Sequence, residues 1–434
     1  MSRANGCGSS TPSTIRAAED GSTGPRDNEE TMKYLILVGD GMADEPIDEL
    51  GGLTPLEQAP TPNMDRLARS GVTGLAETVP AAFHPGSDVA NLSVFGYDPT
   101  TCYTGRSPLE AASMGVELGP ADVAFRLNLV TLEAHCGDLY MQDFSAGHIS
   151  TADARELIAT LQEELGDATF QFYPGVSYRH LMVWRGGRED FTLAPPHDLT
   201  NQSVRHHLPR SAAALPLMQI TTSAQLLFKD HPVNRRRLAA GQLPANSVWL
   251  WGQGKRPQMP TLKERYGLCG AVISAVDLIK GIGIYAGLRV INVPGATGYL
   301  DTNYRGKAEA ALTALQELDL VYVHVEAPDE AAHGGLLGDK LEAIERFDNE
   351  VVGTVLAGLD ALGPCRVLVL PDHPTPVRRM THTKDPVPFI LYGSAGEFPP
   401  QGTVTGYSER NARATGVVVA PGHLLLRHLV DGHL

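Results

Sequence analysis

Short apolar runs that end in polar residues recur at both ends of the chain. KYLILVG (33–39) precedes Asp40, and VYVHV (321–325) and CRVLVL (365–370) follow the same pattern near the C-terminus. Continuous apolar runs of this length are typical of strands buried on both faces of a parallel sheet. We therefore predict that the three segments share one sheet, and that polar residues follow their carboxyl ends, where α/β sheets bind ligands.

Helical patterns separate these strands. TPNMDRLARSG (61–71) has the Thr-Pro start and the glycine stop of a helix, and KLEAIERFDNEVVGTVLAGLDALG (340–363) has an extended apolar stripe. VPFILYG (387–393) reads as a further strand. Alternation of strands and helices predicts an α/β fold, with a mostly parallel sheet covered by helices on both faces.

The middle of the chain has a different pattern. Residues 118–265 contain strands that alternate polar and apolar positions, such as YRHLMVW (178–184), between loops rich in Pro, His and Arg. We interpret this segment as an inserted, smaller α+β domain, so that 32–117 and 266–434 form the core. Residues 1–31 are rich in Ser, Thr, Gly and charge, which predicts a disordered tail. A mis-assigned start codon is the alternative, because Met32 directly precedes the first strand.

Composition and net charge exclude several classes of binding partner. The net charge of −15 argues against nucleic acid or an anionic membrane surface as a partner, since both require a basic footprint. A small anionic substrate remains compatible if Arg and Lys cluster locally. The five cysteines are scattered and form no CxxC pair, and no apolar run approaches the length of about 18 residues that a membrane span needs. We expect a cytoplasmic protein and leave its oligomeric state open.

Candidate metal ligands follow the predicted strands. They are Asp40, Asp329, His333, Asp372, His373 and His382. Asp329 and His333 are four residues apart, so one helical turn places both on one face. Carboxylates and imidazoles bind divalent Zn or Mn. The alternative is that the histidines are ordinary surface or hydrogen-bonding residues, but this explains poorly why polar residues end three separate strands.

Ser87 is the candidate nucleophile. It follows Pro85-Gly86 and precedes a helical run in FHPGSDVANLSVFGYDP (83–99). The N–H groups and positive dipole end of a helix can stabilise a phosphorylated serine. A serine hydroxyl needs activation at neutral pH, which a bound metal can supply. The alternative is that Ser87 only caps the helix.

Seven ordered motifs extend from Lys33 to the end of the chain. They are GDGMAD, TPNMDRLA, PGSDVANLSVFGYDP, YTGRSPLEAAS, PDEAAHGG, DH and HTKDPVPF. The series resembles the archaeal-type cofactor-independent phosphoglycerate mutases of the alkaline-phosphatase superfamily. The resemblance implies a phosphatase-like core with two metal ions (Mn or Zn) and an inserted smaller domain. It also implies exchange of 3- and 2-phosphoglycerate, a small anionic substrate, through a phosphoserine at Ser87.

The resemblance also implies individual roles. One metal ion would be held by Asp329, His333 and His382, and the other by Asp40, Ser87, Asp372 and His373. His148 would lie near the substrate and shuttle a proton, and Lys280 would lie near the phosphoryl group. Arg179 is a candidate for holding substrate oxyanions, and the segments around His197, Asp198 and Arg205 are candidates for determining which substrate binds.

Two positions depart from the family pattern. Asn91 stands where such mutases usually have histidine, and Trp251 stands where they tend to have arginine. These departures resemble a bacterial subgroup proposed to act as homoserine kinase, which would keep the metal core and change the acceptor. A metal-dependent phosphatase is a further alternative. The sequence has no GxxxxGK[ST] loop, and the glycine-rich GIGIYAG (281–287) is a weak substitute. We therefore place the mutase first.

Overall fold

Residues 31–135 and 137–434 are described by a computed structural model, and residues 1–30 of the predicted tail lie outside this part. The strands are β1 Lys33–Gly39, β2 Val72–Ala76, β3 Val123–His135, β4 Asp138–Asp143, β5 Phe170–Val176, β6 Arg179–Trp184, β7 Ser247–Lys255, β8 Gly270–Ile273, β9 Arg289–Val290, β10 Leu320–Val325, β11 Cys365–Leu370, β12 Val387–Gly393 and β13 Val418–Val419.

The α-helices follow the same chain order. They are α1 Pro55–Gln58, α2 Pro62–Ser70, α3 Ser87–Val94, α4 Pro99–Cys102, α5 Ser107–Ser113, α6 Thr151–Leu165, α7 Leu215–Lys229, α8 Pro232–Ala239, α9 Leu262–Tyr266, α10 Asp277–Tyr285, α11 Tyr304–Ala314, α12 Ala327–His333, α13 Leu337–Arg346, α14 Gly353–Gly358, α15 Glu409–Ala414 and α16 Leu425–Asp431. Within the described residues, none of them is both long and apolar enough to cross a membrane.

The larger sheet has the strand order β13-β2-β12-β11-β1-β10-β8-β9. β1 lies between β10 and β11 and is parallel to both, whereas β12 runs antiparallel to its two neighbours. Alternate side chains of β1 enter two different apolar cores, with Leu35 and Leu37 on one face and Ile36 and Val38 on the other. Burial on both faces explains the continuous apolar run, and the predicted mostly parallel α/β fold is confirmed.

The long helix predicted at 340–363 is interrupted. A π-helical segment, Phe347–Val352, separates α13 from α14. Asp348 in this segment accepts hydrogen bonds from the backbone N–H groups of Asn63 and Met64 at the start of α2. Thr61, which the sequence indicated as the start of α2, makes no capping hydrogen bond with its side chain. A carboxylate from a distant helix therefore satisfies the exposed N–H groups of α2.

The smaller sheet is antiparallel and takes all its strands, β3 to β7, from residues 123–255. The predicted domain boundaries at 118 and 265 remain predictions. The backbones of the two parts touch at Gly105 and Gly254, where a Cβ on Gly105 would lie 2.2 Å from the carbonyl oxygen of Gln253. Ser107 adds two hydrogen bonds here, accepting from the Arg126 N–H and donating to the Gly252 carbonyl. These contacts fix the smaller sheet against the carboxyl edge of the larger one.

Lys340 is fully buried and ties two loops together at that edge. Its Nζ donates to Oδ2 of Asp44 at 2.8 Å, to the carbonyl of Thr375 at 2.8 Å and to that of Ala43 at 3.3 Å. Replacing Lys340 with methionine would leave Asp44 as an unpaired buried charge. We expect the free energy of unfolding to fall by about 3–5 kcal/mol, measured by urea denaturation. A Lys340→Met/Asp44→Asn double variant should recover part of this loss, and an unchanged urea midpoint in Lys340→Met would contradict the prediction.

Candidate active site

The predicted ligands converge at the carboxyl edge of the larger sheet. Asp40 follows β1, and Asp372 and His373 follow the adjacent β11. The Nε2 atom of His373 lies 3.5 Å from Oδ1 of Asp40 and 3.4 Å from Oδ2 of Asp372. All three side chains are fully buried. His373 is therefore not the ordinary surface residue of the alternative hypothesis.

Asp329, His333 and His382 form the adjoining part of the cluster. Asp329 and His333 lie on α12, which follows β10, and their side chains are 3.3 Å apart. The Nε2 atom of His382 lies 3.4 Å from Oδ1 of Asp329 and 2.8 Å from Nε2 of His333. The ring of His382 packs 4.1 Å from that of His373, which joins the two parts. Asp329 and His333 are four residues apart on one helix, as predicted, and this spacing brings their side chains into contact.

These residues suit a divalent cation. Donor atoms of Asp40, Asp372 and His373 lie within 4.8 Å of one another, and so do those of Asp329, His373 and His382. Oδ1 of Asp40 is buried without a hydrogen-bond partner in the described part of the chain. A buried, unpaired carboxylate oxygen is costly unless a cation or proton neutralises it. The mixture of carboxylates and imidazoles is the one that Zn and Mn accept.

The electrostatics of the cluster also favour a cation. Burial, together with the charges of Asp372 and Glu326, raises the pKa of Asp40 well above its usual range. Burial would also raise the pKa of Asp329, but hydrogen bonds from His333 and His382 bring it well below the usual range. The hydrogen bond to Asp329 in turn raises the pKa of His333 to about 9. Without a metal, protons must therefore provide the positive charge that the buried carboxylates require.

Ser87 is the first residue of α3 and faces this cluster. Gly86 occupies the N-cap position, and no side chain caps the helix, so the interpretation of Ser87 as a helix cap is wrong. Its Oγ atom lies 3.2 Å from Nε2 of His373. One turn later, the Asn91 amide donates to Oδ2 of Asp372 at 2.7 Å and to the carbonyl of Ser87 at 2.8 Å. The departure at Asn91 thus gives an uncharged link between a predicted ligand and the predicted nucleophile.

A cavity of about 590 Å³ adjoins the cluster and lies between the two sheets. Four carboxylates line it, Glu110, Asp277, Glu326 and Glu330, and so do four arginines: Arg106, Arg126, Arg155 and Arg179. The sequence indicated only Arg179 of these arginines. The arginines are local cations of the kind that an acidic protein needs in order to bind a small anion.

Comparison with known proteins identifies the family. Residues 68–234 match the family model for 2,3-bisphosphoglycerate-independent phosphoglycerate mutase. A Geobacter sulfurreducens protein named "Probable 2,3-bisphosphoglycerate-independent phosphoglycerate mutase" is 60% identical over 400 residues, covering 92% of this chain and 100% of the relative. The chain belongs to this mutase family.

Two further matches agree. A Methanothrix thermoacetophila protein named 2,3-bisphosphoglycerate-independent phosphoglycerate mutase is 52% identical, over 92% of this chain and 100% of its own. A Pyrococcus horikoshii protein of known structure superposes with a TM-score of 0.78 at 31% identity, covering 93% of this chain and 97% of that one. The predicted family and fold class are confirmed, and neither homoserine kinase nor phosphatase is favoured. Membership of the mutase family and the clustered donors together support dependence on a divalent metal.

Trp251, the second predicted departure from the family pattern, has a cation as its neighbour across the sheet. Arg126 on β3 pairs directly with Trp251 on β7, and its guanidinium lies 4.4 Å from the centre of the indole ring. A positive charge on the adjacent strand thus lies directly beside Trp251. Burial lowers the pKa of Arg126 to about 10.

Arg106 and Arg126 share one carboxylate, Glu110. Nε of Arg106 lies 2.9 Å from one oxygen of Glu110, and Nε of Arg126 lies 3.0 Å from the other. Burial alone would raise the pKa of Glu110, but Arg126 and Arg106 lower it below its usual value. Two cations on one carboxylate leave this group of three side chains with one excess positive charge, which an anionic ligand can pair with.

His324 and Glu326 also adjoin Asp40, and neither was predicted from the sequence as a site residue. His324 lies within β10, with Nε2 2.9 Å from Oδ2 of Asp40 and 3.8 Å from Oε2 of Glu326. Burial lowers the pKa of His324 to about 3 and raises that of Glu326 to about 8. Donor atoms of these three residues also lie within 4.8 Å of one another. The available signal was a histidine inside the otherwise apolar run LVYVHV (320–325).

Other predicted residues lie elsewhere around the mutase cleft. The described residues that line it do not include Lys280, His148, His197, Asp198 or Arg205. Lys280 lies on α10, 3.5 Å from Asp277, and exposed His148 contacts Oγ of Ser145 through Nδ1 at 3.2 Å. Exposed His197 packs 5.5 Å from the ring of Trp251, beside Asp198 at 3.5 Å. Arg205 is exposed, and its charge acts on Asp138 of β4. Their roles remain predictions.

The glycine-rich segment suggested as a nucleotide loop is part of a helix. Gly281 and Gly283 lie within α10. A Cβ on Gly281 would lie 1.9 Å from the carbonyl oxygen of Leu109, and one on Gly283 would lie 2.5 Å from a methyl carbon of Val272. These glycines allow α10 to pack closely on α5 and β8. The segment is therefore not a loop that surrounds phosphate groups, and it does not support an ATP site.

We expect metal binding to release protons and to strengthen as the pH rises. In the metal-free mutase, the raised pKa of His333, about 9, means that this side chain is protonated at neutral pH and must lose its proton to bind a metal. Between pH about 6 and about 8, the apparent Kd for Mn²⁺ should fall by about tenfold per pH unit for each proton released. Competition titrations with a metal indicator at several pH values measure this slope. A Kd independent of pH would contradict the prediction.

Proposed function

We propose that the chain interconverts 3-phosphoglycerate and 2-phosphoglycerate without 2,3-bisphosphoglycerate, with Ser87 as the phosphoryl acceptor. The observation that carries the proposal is the position of Ser87. Its hydroxyl lies at the start of α3, 3.2 Å from His373, within a cluster of metal-binding side chains. The adjoining cleft carries the arginines that a phosphorylated carboxylic acid requires. Identity of 60% to a relative named as such a mutase supports the same assignment.

We further propose that two divalent ions, Mn or Zn, occupy the cluster. Asp329, His333 and His382 would hold one, and Asp40, Ser87, Asp372 and His373 the other. The division is supported by the contacts of Asp329 with two histidines and by the contacts of His373 with Asp40, Asp372 and Ser87. When bound, the ions would supply positive charge that activates the serine hydroxyl and neutralises the phosphoryl oxygens.

In the proposed reaction, the phosphoryl group passes from the substrate to Ser87 and then back to the other hydroxyl of glycerate. Oγ of Ser87 forms a bond to phosphorus while the bond from phosphorus to the substrate oxygen breaks, leaving glycerate and phosphoserine. The other hydroxyl of glycerate then takes the phosphoryl group back and restores Ser87. The N–H groups at the start of α3 are placed to stabilise the phosphoryl oxygens. We assign the proton transfer between the two glycerate hydroxyls and solvent to His148.

Arg106, Arg126 and Arg179 are proposed to hold the glycerate carboxylate while the phosphoryl group is on Ser87. Retention is essential, because glycerate must present its second hydroxyl before water attacks phosphoserine.

Lys280 is proposed to lie near the phosphoryl group, and His197, Asp198 and Arg205 are candidates for further substrate contacts. Partial loss of hydration lowers the pKa of His197, whose side chain is 51% exposed. The charges of Arg126 and His333 lower it further, and that of Asp198 opposes them. His197 therefore lies within the electrostatic reach of both the cleft and the metal-binding cluster.

We place this reaction in the cytoplasm. The three cysteines that the structure describes, Cys102, Cys269 and Cys365, are free thiols. Free thiols are typical of proteins in a reducing compartment.

The deciding experiment follows 3-phosphoglycerate consumption by the Mn-loaded protein in an assay coupled to enolase, without added bisphosphoglycerate. A mutase forms 2-phosphoglycerate and releases no phosphate. Release of inorganic phosphate without 2-phosphoglycerate would indicate a phosphatase. Phosphorylation of homoserine by ATP, with no turnover of phosphoglycerate, would indicate the kinase.

Replacing Arg126 with methionine is expected to weaken substrate binding. The substitution keeps much of the apolar contact with Trp251 but removes a buried cation from the cleft. Loss of charged hydrogen bonds to the substrate should lower kcat/KM by about 10–100-fold, mainly through KM. Arg236→Met is the control, because Arg236 is exposed on α8 and pairs with Asp153 and Glu156. A kcat/KM equal to that of the control would contradict a role for Arg126 in binding.

A further inference from the structure

We infer that His324 is a positioning residue that holds the Asp40 carboxylate in the orientation needed for metal binding, and that it is not itself a metal ligand. The inference rests on the metal centre of the proposed function. His324 lies in the buried strand β10, opposite Val38 of β1. Asp40 lies two residues after Val38, just beyond the end of β1. Side chains from two adjacent strands therefore meet at the edge of the sheet.

The hydrogen bonds around Ser274 determine which nitrogen of His324 carries the proton. The backbone N–H of Val276 donates to Oγ of Ser274 at 3.0 Å. If Ser274 also accepted from Nδ1–H of His324, its own proton would have no acceptor among the described residues, so Ser274 donates this proton to Nδ1 of His324, 3.2 Å away. An imidazole that accepts at Nδ1 carries its proton on Nε2. Nε2–H therefore donates to Oδ2 of Asp40 at 2.9 Å.

The opposite tautomer is unfavourable. It would place the unprotonated Nε2, an acceptor, 2.9 Å from a carboxylate oxygen that must be ionised when Asp40 binds a metal. Two acceptors at this distance in a fully buried site repel each other. Ser274 thus has a specific task, which is to keep the donor of His324 directed at Asp40.

This contact gives the two oxygens of Asp40 different surroundings. Oδ2 accepts from His324, whereas Oδ1 lies 3.5 Å from Nε2 of His373 and has no hydrogen-bond partner in the described part of the chain. Rotation of the carboxylate would break the only side-chain hydrogen bond that the structure gives its oxygens. The backbone of His324 is also held, because buried Lys307 donates to its carbonyl at 3.0 Å. His324 therefore keeps Oδ1 directed at the metal-binding cluster.

The competing explanation is a cation bound by Asp40, His324 and Glu326. Their donor atoms lie close enough together for this, and Oε2 of Glu326 has no hydrogen-bond partner among the described residues. A metal ligand needs a free lone pair on Nε2, however, and the hydrogen bonds of Ser274 place a proton there. We therefore favour positioning over ligation.

Three variants separate the explanations: His324→Gln, whose amide nitrogen can replace the Nε2 donor, His324→Leu, which has no donor, and Ser274→Ala. For each, the Kd for Mn²⁺ is measured by competition with a metal indicator, and the number of bound ions is counted at saturating Mn²⁺. For His324→Leu we expect a Kd about 10–100-fold weaker, and for His324→Gln a Kd within a few-fold of wild type. Ser274→Ala should weaken binding by several-fold, and all three should bind as many ions as wild type.

Several results would overturn the inference. Loss of one ion from both His324 variants would make His324 a ligand, and an unchanged Kd in His324→Leu would show that it has no positioning role. If His324→Leu does not fold, Ser274→Ala carries the test, and an unchanged Kd there overturns the inference. Mn²⁺ binding is measured without turnover. Absence of binding to wild type would overturn the inference, whereas binding without mutase activity would count against the proposed function alone.

Discussion

Replacing Ser87 with alanine is expected to abolish isomerisation of 3-phosphoglycerate, with kcat lowered by at least about 10⁴-fold. The substitution removes the only atom that the mechanism uses to carry the phosphoryl group between the two hydroxyls. Because α3 has no side-chain cap at its N-terminus, the loss of Oγ should leave the helix intact. The enolase-coupled assay measures the rate, and mass spectrometry of the substrate-treated protein shows whether phosphoserine still forms.

Ser93→Ala is the matched control, because Ser93 lies on the same helix and donates only to the carbonyl of Val89. Its activity should remain close to that of wild type. If Ser87→Ala retained a tenth or more of the wild-type rate, Ser87 would not be the nucleophile. If both variants lost activity, the cause would be damage to α3.

Replacing Asp329 with asparagine is expected to weaken metal binding by at least about 100-fold and to lower kcat by at least about 10³-fold. Asp329 contacts both His333 and His382, and its carboxylate charge is the link between them. The amide has nearly the same shape but lacks this charge, and its NH₂ group would face imidazoles that must accept a metal. Metal content after dialysis and activity across a Mn²⁺ titration measure the two effects.

Asp339→Asn serves as the control for Asp329→Asn, since Asp339 lies on the adjacent helix α13 and outside the groups of clustered donors. It should bind metal and turn over as wild type does. Full metal content in Asp329→Asn would contradict the assignment of Asp329 as a ligand. Recovery of activity at high Mn²⁺ would instead show that the charge of Asp329 serves affinity more than catalysis.

The metal-binding cluster explains why several costly features coexist. Asp40, Asp372 and His373 are fully buried, and Asp40 and Asp372 carry like charge at close range. Such an arrangement destabilises the metal-free fold, because Asp40 loses its hydration while its Oδ1 gains no hydrogen-bond partner among the described residues, and the hydrogen bonds that Asp372 accepts come from uncharged groups. Bound cations reverse this cost, since they bind the folded chain and not the unfolded one. We therefore regard the cluster as a site whose stability depends on its metal.

Four strands of the larger sheet, β1, β10, β11 and β12, and the cluster of candidate ligands at its edge could be predicted from the amino-acid sequence. Asp40 directly follows one apolar run, and Asp372 and His373 follow another after Pro371, so their place at a strand end is a local property of the chain. Asp329 and His333 meet because of helical spacing, which is also local. The motifs around them were sufficient to indicate the mutase family.

The contacts that build the cleft and support the cluster depend on how distant parts of the chain pack together. Arg126 meets Trp251 because of the register between β3 and β7, strands separated by more than a hundred residues in the chain. His324 acquires its task because β1 and β10 are neighbours and Ser274 lies beside them. Periodicity in one sequence reports which face of an element is buried, but not which strand lies beside it or in what register. Candidate ligands at strand ends were therefore predictable, whereas the neighbours from other strands that contact them and that charge the cleft were not.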